Sequence, residues 1–134
     1  MSAVVADTHA LIWFTSQSSL LSAAARAAME AAENNQQPIY VPAIVVVELR
    51  YLVEKKAITE SDYQSILTAL RDPATALKVQ ELSLDLAEAV TWIPRATVPE
   101  MPDRIIAATA QALGLPLVTK DHKIRNLTSI VTIW

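Results

Sequence analysis

The chain contains no cysteine and only one glycine, Gly114. The absence of cysteine excludes disulfide bonds and thiolate-bound metal sites, and it fits the reducing cytoplasm, where we expect this protein to work. A single glycine cannot build the phosphate-binding loops of the GxGxxG or Walker type, which need more than one. Nucleotide-binding enzymes that depend on such loops are therefore excluded.

Long apolar runs and an excess of basic residues are also missing. No stretch approaches the roughly 20 apolar residues of a transmembrane helix, and the first residues show neither the basic segment nor the cleavage site of a signal peptide. We therefore expect no membrane contact. The net charge is −3, so any contact with nucleic-acid phosphates must come from a local basic patch.

Hydrophobic residues make up 52% of the chain, although aromatic residues supply only 5%. This composition favours a tightly packed α/β or helical core over a disordered chain. The length of 134 residues matches one ordinary domain, and we expect a single domain over residues 1–134.

Short apolar runs that resemble strands alternate with segments that resemble helices. Strands are predicted for residues 3–6, 39–41, 78–82, 115–119 and 129–134. Helices are predicted to begin at residues 8 and 23 and to cover 42–55, 59–71, 84–92 and 103–113, and residues 121–126 are predicted to form a short helix or a turn. Such alternation predicts an α/β fold with a mainly parallel sheet and helices on both faces. In sheets of this kind the binding crevice lies at the carboxyl ends of the strands.

Local capping residues support several of these helix boundaries. Ser22, Ser83 and the Thr59/Asp62 pair are expected at helix N-termini, and Pro42 suits the first position of its helix. Gly114 is the residue expected just past a helix C-terminus.

Three aspartates follow or precede these elements in a pattern that suggests one crevice. Asp7 comes directly after the first strand, and Asp121 follows the fourth with only Lys120 between. If both strands are parallel, their carboxyl ends share one edge of the sheet. Asp103 opens a helix that leads back toward the sheet. The alternative is that Asp7 and Asp103 only stabilise helix N-termini, where an acidic residue is favourable.

Glu48 lies within an apolar arc of its predicted helix, beside Val45 and Leu49. A carboxylate in such an arc costs several kcal/mol unless it is paired, protonated or bound to a metal. A buried salt bridge, with Arg104 as the partner, is the structural alternative.

Asp7, Glu48, Asp103 and Asp121 would repel one another if they converged, and a divalent cation would relieve that repulsion. An oxygen-only set of ligands suits Mg²⁺ or Mn²⁺, which keep bound water and bridge to phosphates. Such an ion lowers the pKa of bound water and stabilises charge on a phosphodiester. The chemistry predicted from the residues is therefore phosphodiester hydrolysis.

Four segments of the chain resemble the motifs of the PIN-domain superfamily, close to its VapC-like toxin branch. In chain order they are Val4 to Trp13 (VVADTHALIW), Val45 to Leu49 (VVVEL), Pro102 to Ala110 (PDRIIAATA) and Leu117 to Asp121 (LVTKD). No single motif is specific, but all four occur in the family's order and at comparable spacing over essentially the whole chain.

The resemblance implies a five-stranded parallel sheet and Mg²⁺- or Mn²⁺-dependent cleavage of RNA. It also implies a homodimer and an antitoxin protein as partner. By position, Asp7, Glu48, Asp103 and Asp121 would bind the metal, directly or through water, and Thr119 would support the site. The departure from the broader family pattern is His9, whose role the resemblance does not supply.

Several residues beside the acids have two interpretations. Lys120, Lys123 and Arg125 are either a solvated face or a clamp for RNA phosphates. His9 and His122 could shuttle protons, but His9 is expected to pack against or orient a neighbour. Thr8 is expected to cap the first helix.

Two other functions compete with metal-dependent RNA cleavage. A phosphoryl-accepting receiver domain shares the size and fold class, but it needs paired acids after the first strand and a Lys-Pro after the last. A PIN-like domain that binds RNA or protein without cleaving is the other alternative, although all four acids and Thr119 are present.

Overall fold

The structure, a computed structural model, describes residues 2–134. These residues form one sheet of five strands: β1 (Val4–Ala6), β2 (Ile39–Pro42), β3 (Leu77–Gln80), β4 (Leu117–Val118) and β5 (Thr132–Ile133). The strand order is β3-β2-β1-β4-β5, and every neighbouring pair is parallel. The predicted five-stranded parallel sheet is therefore confirmed.

The helices described for residues 2–134 are α1 (Thr8–Thr15), α2 (Ala23–Asn34), α3 (Ala43–Glu54), α4 (Glu60–Arg71), α5 (Leu84–Ala89), α6 (Met101–Leu113) and α7 (His122–Arg125). A 3₁₀ turn, Val90–Trp92, continues α5. None of the helices formed by residues 2–134 has the length and apolar character of a membrane span.

The sheet reverses its direction of growth at β1. The chain adds β2 and β3 on one side of β1 and then returns to add β4 and β5 on the other side. The crevice of an open parallel sheet forms at such a switch point, outside the carboxyl ends of the strands. The same order rules out the receiver domain, because receivers have the flavodoxin-like order 2-1-3-4-5.

Side chains of the central strand alternate between two apolar layers. Val5 packs into a layer with residues of α3, α4 and α6, among them Val45, Ile66 and Ile106. Val4 and Ala6 point to the opposite layer, where α2 contributes Met29 and the small residues Ala25 and Ala32. Because alternate residues of a strand face opposite sides of its sheet, this arrangement places helices on both faces, as predicted.

The predicted caps lie where expected. Ser22 and Ser83 accept hydrogen bonds from amides in the first turns of α2 and α5, and Thr59 forms a capping box with Asp62 at α4. Gly114 ends α6 with φ +65°, a left-handed conformation that a Cβ atom disfavours.

Several predicted boundaries are wrong by a few residues. The fourth and fifth strands contain two residues each, since β1 offers β4 only Val5 and Ala6 as register partners. The helix predicted from Asp103 begins at Met101. It includes Pro102 in its first turn, where the missing proline N–H costs no hydrogen bond. The predicted helix over 84–92 is α-helical only to Ala89. Pro42 ends β2 and occupies the N-cap of α3 rather than its first helical position.

Candidate active site

Asp7 and Asp121 lie at the switch point of the sheet. Asp7 follows β1 and caps α1: its Oδ1 accepts from the Ala10 amide at 2.9 Å. The Asp7 amide donates to the carbonyl of Val118 in β4 at 3.2 Å. Asp121 caps α7 in the same way, with its Oδ1 accepting from the Ile124 amide at 3.0 Å. Capping therefore fixes both carboxylates but uses only Oδ1 of each.

Thr119 forms hydrogen bonds with both of these aspartates. Its side chain is completely buried, and its hydroxyl accepts a hydrogen bond from the Asp121 amide at 3.1 Å. The same hydroxyl hydrogen-bonds with Asp7, which lowers the pKa of that carboxyl. Burial has the largest effect and raises the pKa of Asp7 overall. The negative charge of Asp121 raises it further.

Glu48 reaches the same region from α3. Its Oε1 accepts from the Thr8 hydroxyl at 2.6 Å, a bond between residues 40 positions apart. Thr8 is the first residue of α1 and not its cap, so the expected capping role was wrong. Arg104 donates to the carbonyls of Ile93 and Val90. The alternative of a buried Glu48–Arg104 salt bridge is therefore wrong as well.

Asp103 is the third residue of α6 and is partly buried. Desolvation raises its pKa to about 6, with further contributions from the charges of Asp121 and Glu48, then Glu100 and Asp7. Asp103 lies in the first turn of α6, whose N-cap is Glu100, so it also stabilises the helix N-terminus, as the structural alternative expected. Asp103 thus lies within electrostatic reach of the other three predicted acids.

All four acids line one open cleft of about 900 Å³. One wall is apolar and includes Val47, Tyr51 and Met101, which are 49%, 59% and 63% exposed. Lys55, Lys120 and Lys123 also line the cleft, as does Trp13. The arrangement therefore combines a carboxylate cluster, lysine side chains and exposed apolar surface.

Residues 4–129 match the family model of the PIN domain. The chain belongs to the PIN-domain family. It is 30% identical over 136 residues to "Ribonuclease VapC22" of Mycobacterium tuberculosis, and the match covers all of both chains.

Solved structures share the PIN fold with this chain. VapBC2 from Rickettsia felis, bound to a DNA fragment from its promoter, matches with a TM-score of 0.71 and 18% identity. The match covers 97% of this chain and 96% of that one. A toxin–antitoxin complex from Klebsiella pneumoniae matches with a TM-score of 0.64 and 24% identity, covering 96% of each chain.

The donor set of this PIN domain suits a hydrated hard cation. Within residues 2–134, no three carboxylate or imidazole side chains are already gathered into one coordination shell. Mg²⁺ does not require such a cage, because it keeps several waters and is usually held by one or two carboxylates together with substrate phosphates. The carboxylates of Asp7, Glu48, Asp103 and Asp121 are therefore chemically compatible with Mg²⁺ or Mn²⁺ held largely through water.

The predicted basic cluster is divided by the structure. Lys120 is exposed, and its Nζ lies 5.7 Å from the centre of the Trp13 ring. Lys123 is paired with Glu100, with 3.1 Å between Nζ and Oε1. Arg125 is exposed at the last position of α7 and is not among the residues that line the cleft.

The two histidines lie at the cleft rim. Both are exposed, and both line the cleft. The ring of His9 lies 5.3 Å from that of Trp13, a packing contact of the kind expected for it from the sequence.

No pattern in the sequence assigns a role to Trp13 or to the apolar wall. The signal for Trp13 was its position four residues after His9, which places both on one face of α1. The signal for the wall was the pair Val47 and Tyr51, which lie four residues apart on α3 and share an exposed helix face next to Glu48.

Proposed function

We propose that this PIN domain is a Mg²⁺- or Mn²⁺-dependent endoribonuclease of the VapC kind that hydrolyses RNA phosphodiester bonds in the cytoplasm. The observation that carries the proposal is the convergence of Asp7, Glu48, Asp103 and Asp121 on one cleft at the switch point of the sheet. The full-length similarity to a protein named a ribonuclease supports the same chemistry.

The proposed role of Asp7, Glu48 and Asp121 follows from how each of these three acids is fixed. The helix caps orient Asp7 and Asp121, and the Thr8 hydroxyl orients Glu48. Thr119 sets the spacing between Asp7 and Asp121 from a fully buried position. Side chains held in this way lose little conformational freedom when they take up a cation.

A bound divalent cation would supply an activated water and would offset negative charge at the phosphodiester. Without that cation, burial raises the pKa of Asp103 to about 6, and the charges of the neighbouring acids contribute to this shift. With a cation in the site, Asp103 would be held in its ionised form and would give up any proton that it holds.

The proposed partners are RNA, an antitoxin protein and a second copy of the chain. Two of the structural relatives are a VapBC2 assembly and a toxin–antitoxin complex, and the chain shares their fold. Exposed apolar side chains such as Tyr51 and Met101 offer a protein surface at the edge of the cleft. We therefore extend the proposal to the toxin of a type II toxin–antitoxin pair.

The test is cleavage of single-stranded RNA by the purified protein with Mg²⁺ or Mn²⁺ added separately. We expect cleavage with at least one of these ions, loss of cleavage in EDTA, and loss in each variant Asp7→Asn, Glu48→Gln, Asp103→Asn and Asp121→Asn. The exposed Asp85, in the first turn of α5 and outside the cleft, provides the matched control Asp85→Asn, which should cleave normally.

Cleavage that persists after exhaustive chelation would contradict the metal mechanism. Four acid variants as competent as the wild type would instead support the non-catalytic PIN-like alternative. Growth arrest on expression in bacteria, relieved by the product of a short neighbouring gene, tests the toxin role separately.

A further inference from the structure

Trp13 lies on the cleft side of α1, close to the proposed catalytic acids. It follows Asp7 by six residues, which at 1.5 Å per residue is about 9 Å along the helix. The side chain lines the cleft and is only partly buried. A large aromatic surface is thus available near the carboxylates, in a chain that has few aromatic residues.

The ring of Trp13 is held in place by two aromatic neighbours. Trp134 lies on one side, with 5.8 Å between ring centres and an angle of 56° between the ring planes. His9 lies 5.3 Å away with an angle of 46°. Tilted pairs at these distances are favourable and restrict the orientation of the indole before any ligand arrives.

A cation accompanies this ring. The ammonium group of Lys120 lies 5.7 Å from the ring centre, within the range of a cation–π contact. Lys120 is exposed and directly precedes Asp121 in the chain, so its flexible side chain can reach toward either the ring or the cleft. Among residues 2–134, the Lys120 ammonium group forms no hydrogen bond and no ion pair, whereas that of Lys123 pairs with Glu100.

We propose that Trp13 and Lys120 form a nucleotide subsite, in which the Trp13 indole stacks on an RNA base and the Lys120 ammonium binds an adjoining phosphate. The base belongs to a nucleotide that flanks the bond to be cleaved, because the ring stands beside the carboxylates and not among them. This subsite rests on the proposed ribonuclease function and assigns a place in that cleft to one unpaired nucleotide.

Stacking on an aromatic ring needs an exposed base face, so the subsite selects single-stranded RNA over a duplex. It accepts every base, since each has a π face, and it favours the purines because their faces are larger. When a phosphate takes the Lys120 ammonium away from the ring, the indole face near it becomes available to the base.

The competing explanation for Trp13 is purely structural, because the side chain also packs against the apolar layer that contains Val118 and Met29. The test therefore needs a readout that loss of packing does not change. Trp13→Phe keeps an aromatic face, whereas Trp13→Leu keeps apolar packing without one. Trp92, which is 55% exposed and is not a cleft-lining residue, provides the matched control Trp92→Leu.

Binding is measured by fluorescence anisotropy with short oligoadenosine RNA in Mg²⁺, with every variant built on Asp103→Asn so that the RNA is not cut. Since one stacked base contributes about 1–3 kcal/mol by substitution, Trp13→Leu should weaken binding by about 5- to 150-fold. Trp13→Phe should retain most of the affinity, and Trp92→Leu should retain all of it.

A second measurement uses RNA in which each base in turn is replaced by hydrogen. With Trp13 present, one position or two adjacent ones should lose affinity by a factor similar to that of Trp13→Leu. In the Trp13→Leu protein the same replacements should have no further effect, which is the signature of a direct contact in a double-mutant cycle.

Equal affinity of Trp13→Leu and its parent would overturn the subsite and leave the ribonuclease proposal intact. Loss of affinity that is the same for every base-replaced RNA, with or without Trp13, would also overturn it, since this is the result of indirect packing. Absence of RNA cleavage by the wild type is the separate result that contradicts the proposed function.

Discussion

The Thr8 hydroxyl donates a 2.6 Å hydrogen bond to the Glu48 carboxylate and thereby joins the start of α1 to the middle of α3. Thr8 is only 6% exposed, and its neighbour Asp7 is another of the predicted metal ligands. One buried hydroxyl thus controls the orientation of an acid on a different element of the same cleft.

Thr8→Val should remove this bond at nearly constant shape. Because the acceptor is a carboxylate, we expect the free energy of unfolding to fall by about 1.5–3 kcal/mol. RNA cleavage should fall as well, since Glu48 loses its fixed orientation. Thr8→Ser retains the hydroxyl and is the control, with stability and cleavage closer to wild type. Urea unfolding and a cleavage assay measure both, and a Thr8→Val protein with full activity would show that Glu48 needs no such support.

Glu100 forms an ion pair with Lys123, which lines the cleft. This pairing competes with any contact between the Lys123 ammonium group and an RNA phosphate. Glu100→Gln should therefore strengthen RNA binding. On single-stranded RNA, one additional phosphate contact should make the slope of log affinity against log salt concentration steeper by about 0.7. Lys120→Gln should flatten it by a similar amount, and Lys123→Gln should have a smaller effect while Glu100 is present. Affinities at several salt concentrations measure these slopes, and weaker binding by Glu100→Gln would contradict the assignment.

The parts of the fold that depend on neighbouring residues were predictable from the sequence. The Thr59/Asp62 capping box and the end of α6 at Gly114 are local in the chain, so the residue types alone indicate them. The alternation of strands and helices was sufficient to predict a parallel sheet. The lengths of β4 and β5 were not predictable, because the three residues of β1 limit how far pairing extends.

Contacts between distant residues account for what the sequence did not indicate at the site. Glu48 was recognised as an acid in an apolar arc, but its partner Thr8 lies 40 residues away. Lys123 was grouped with its sequence neighbours, whereas its partner Glu100 lies 23 residues earlier. No pattern within one helix reports such pairs. The metal-binding roles of the four acids stay a prediction that the cleavage assay tests.

Scarcity of glycine has a measurable consequence at α2. The helix ends at Asn34, and Gln36 just beyond it adopts a left-handed conformation with φ +56°. A residue with a Cβ atom pays about 1–2 kcal/mol in that region, while glycine does not. After the greater chain entropy of unfolded glycine is subtracted, Gln36→Gly should stabilise the protein by about 0.5–1 kcal/mol. Gln36→Ala keeps the Cβ atom and should give no such gain. Thermal unfolding of both variants checks the difference.

Asp103 links the function of the cleft to the stability of the protein, because burial and the nearby acids raise its pKa to about 6. The usual value is about 4, so the folded protein holds this proton more tightly than the unfolded chain does. The resulting stabilisation is complete below about pH 4 and is lost as the pH rises through about 6. At neutral pH the ionised carboxylate is then a net cost to the metal-free protein.

Asp103→Asn should therefore abolish RNA cleavage and yet leave the metal-free protein as stable as wild type, or more stable, at pH 7.5. Below pH 4 the order should reverse or the difference should vanish, because the wild-type carboxyl is then protonated in both states. Added Mg²⁺ should raise the melting temperature of wild type by mass action and that of the variant less. If Asp103 served only the helix dipole, the variant would instead lose up to about 1 kcal/mol and remain active. Thermal melts in EDTA from about pH 3 to 8, repeated with Mg²⁺ and combined with the cleavage assay, separate the two: a destabilised but active variant would end the functional assignment of Asp103.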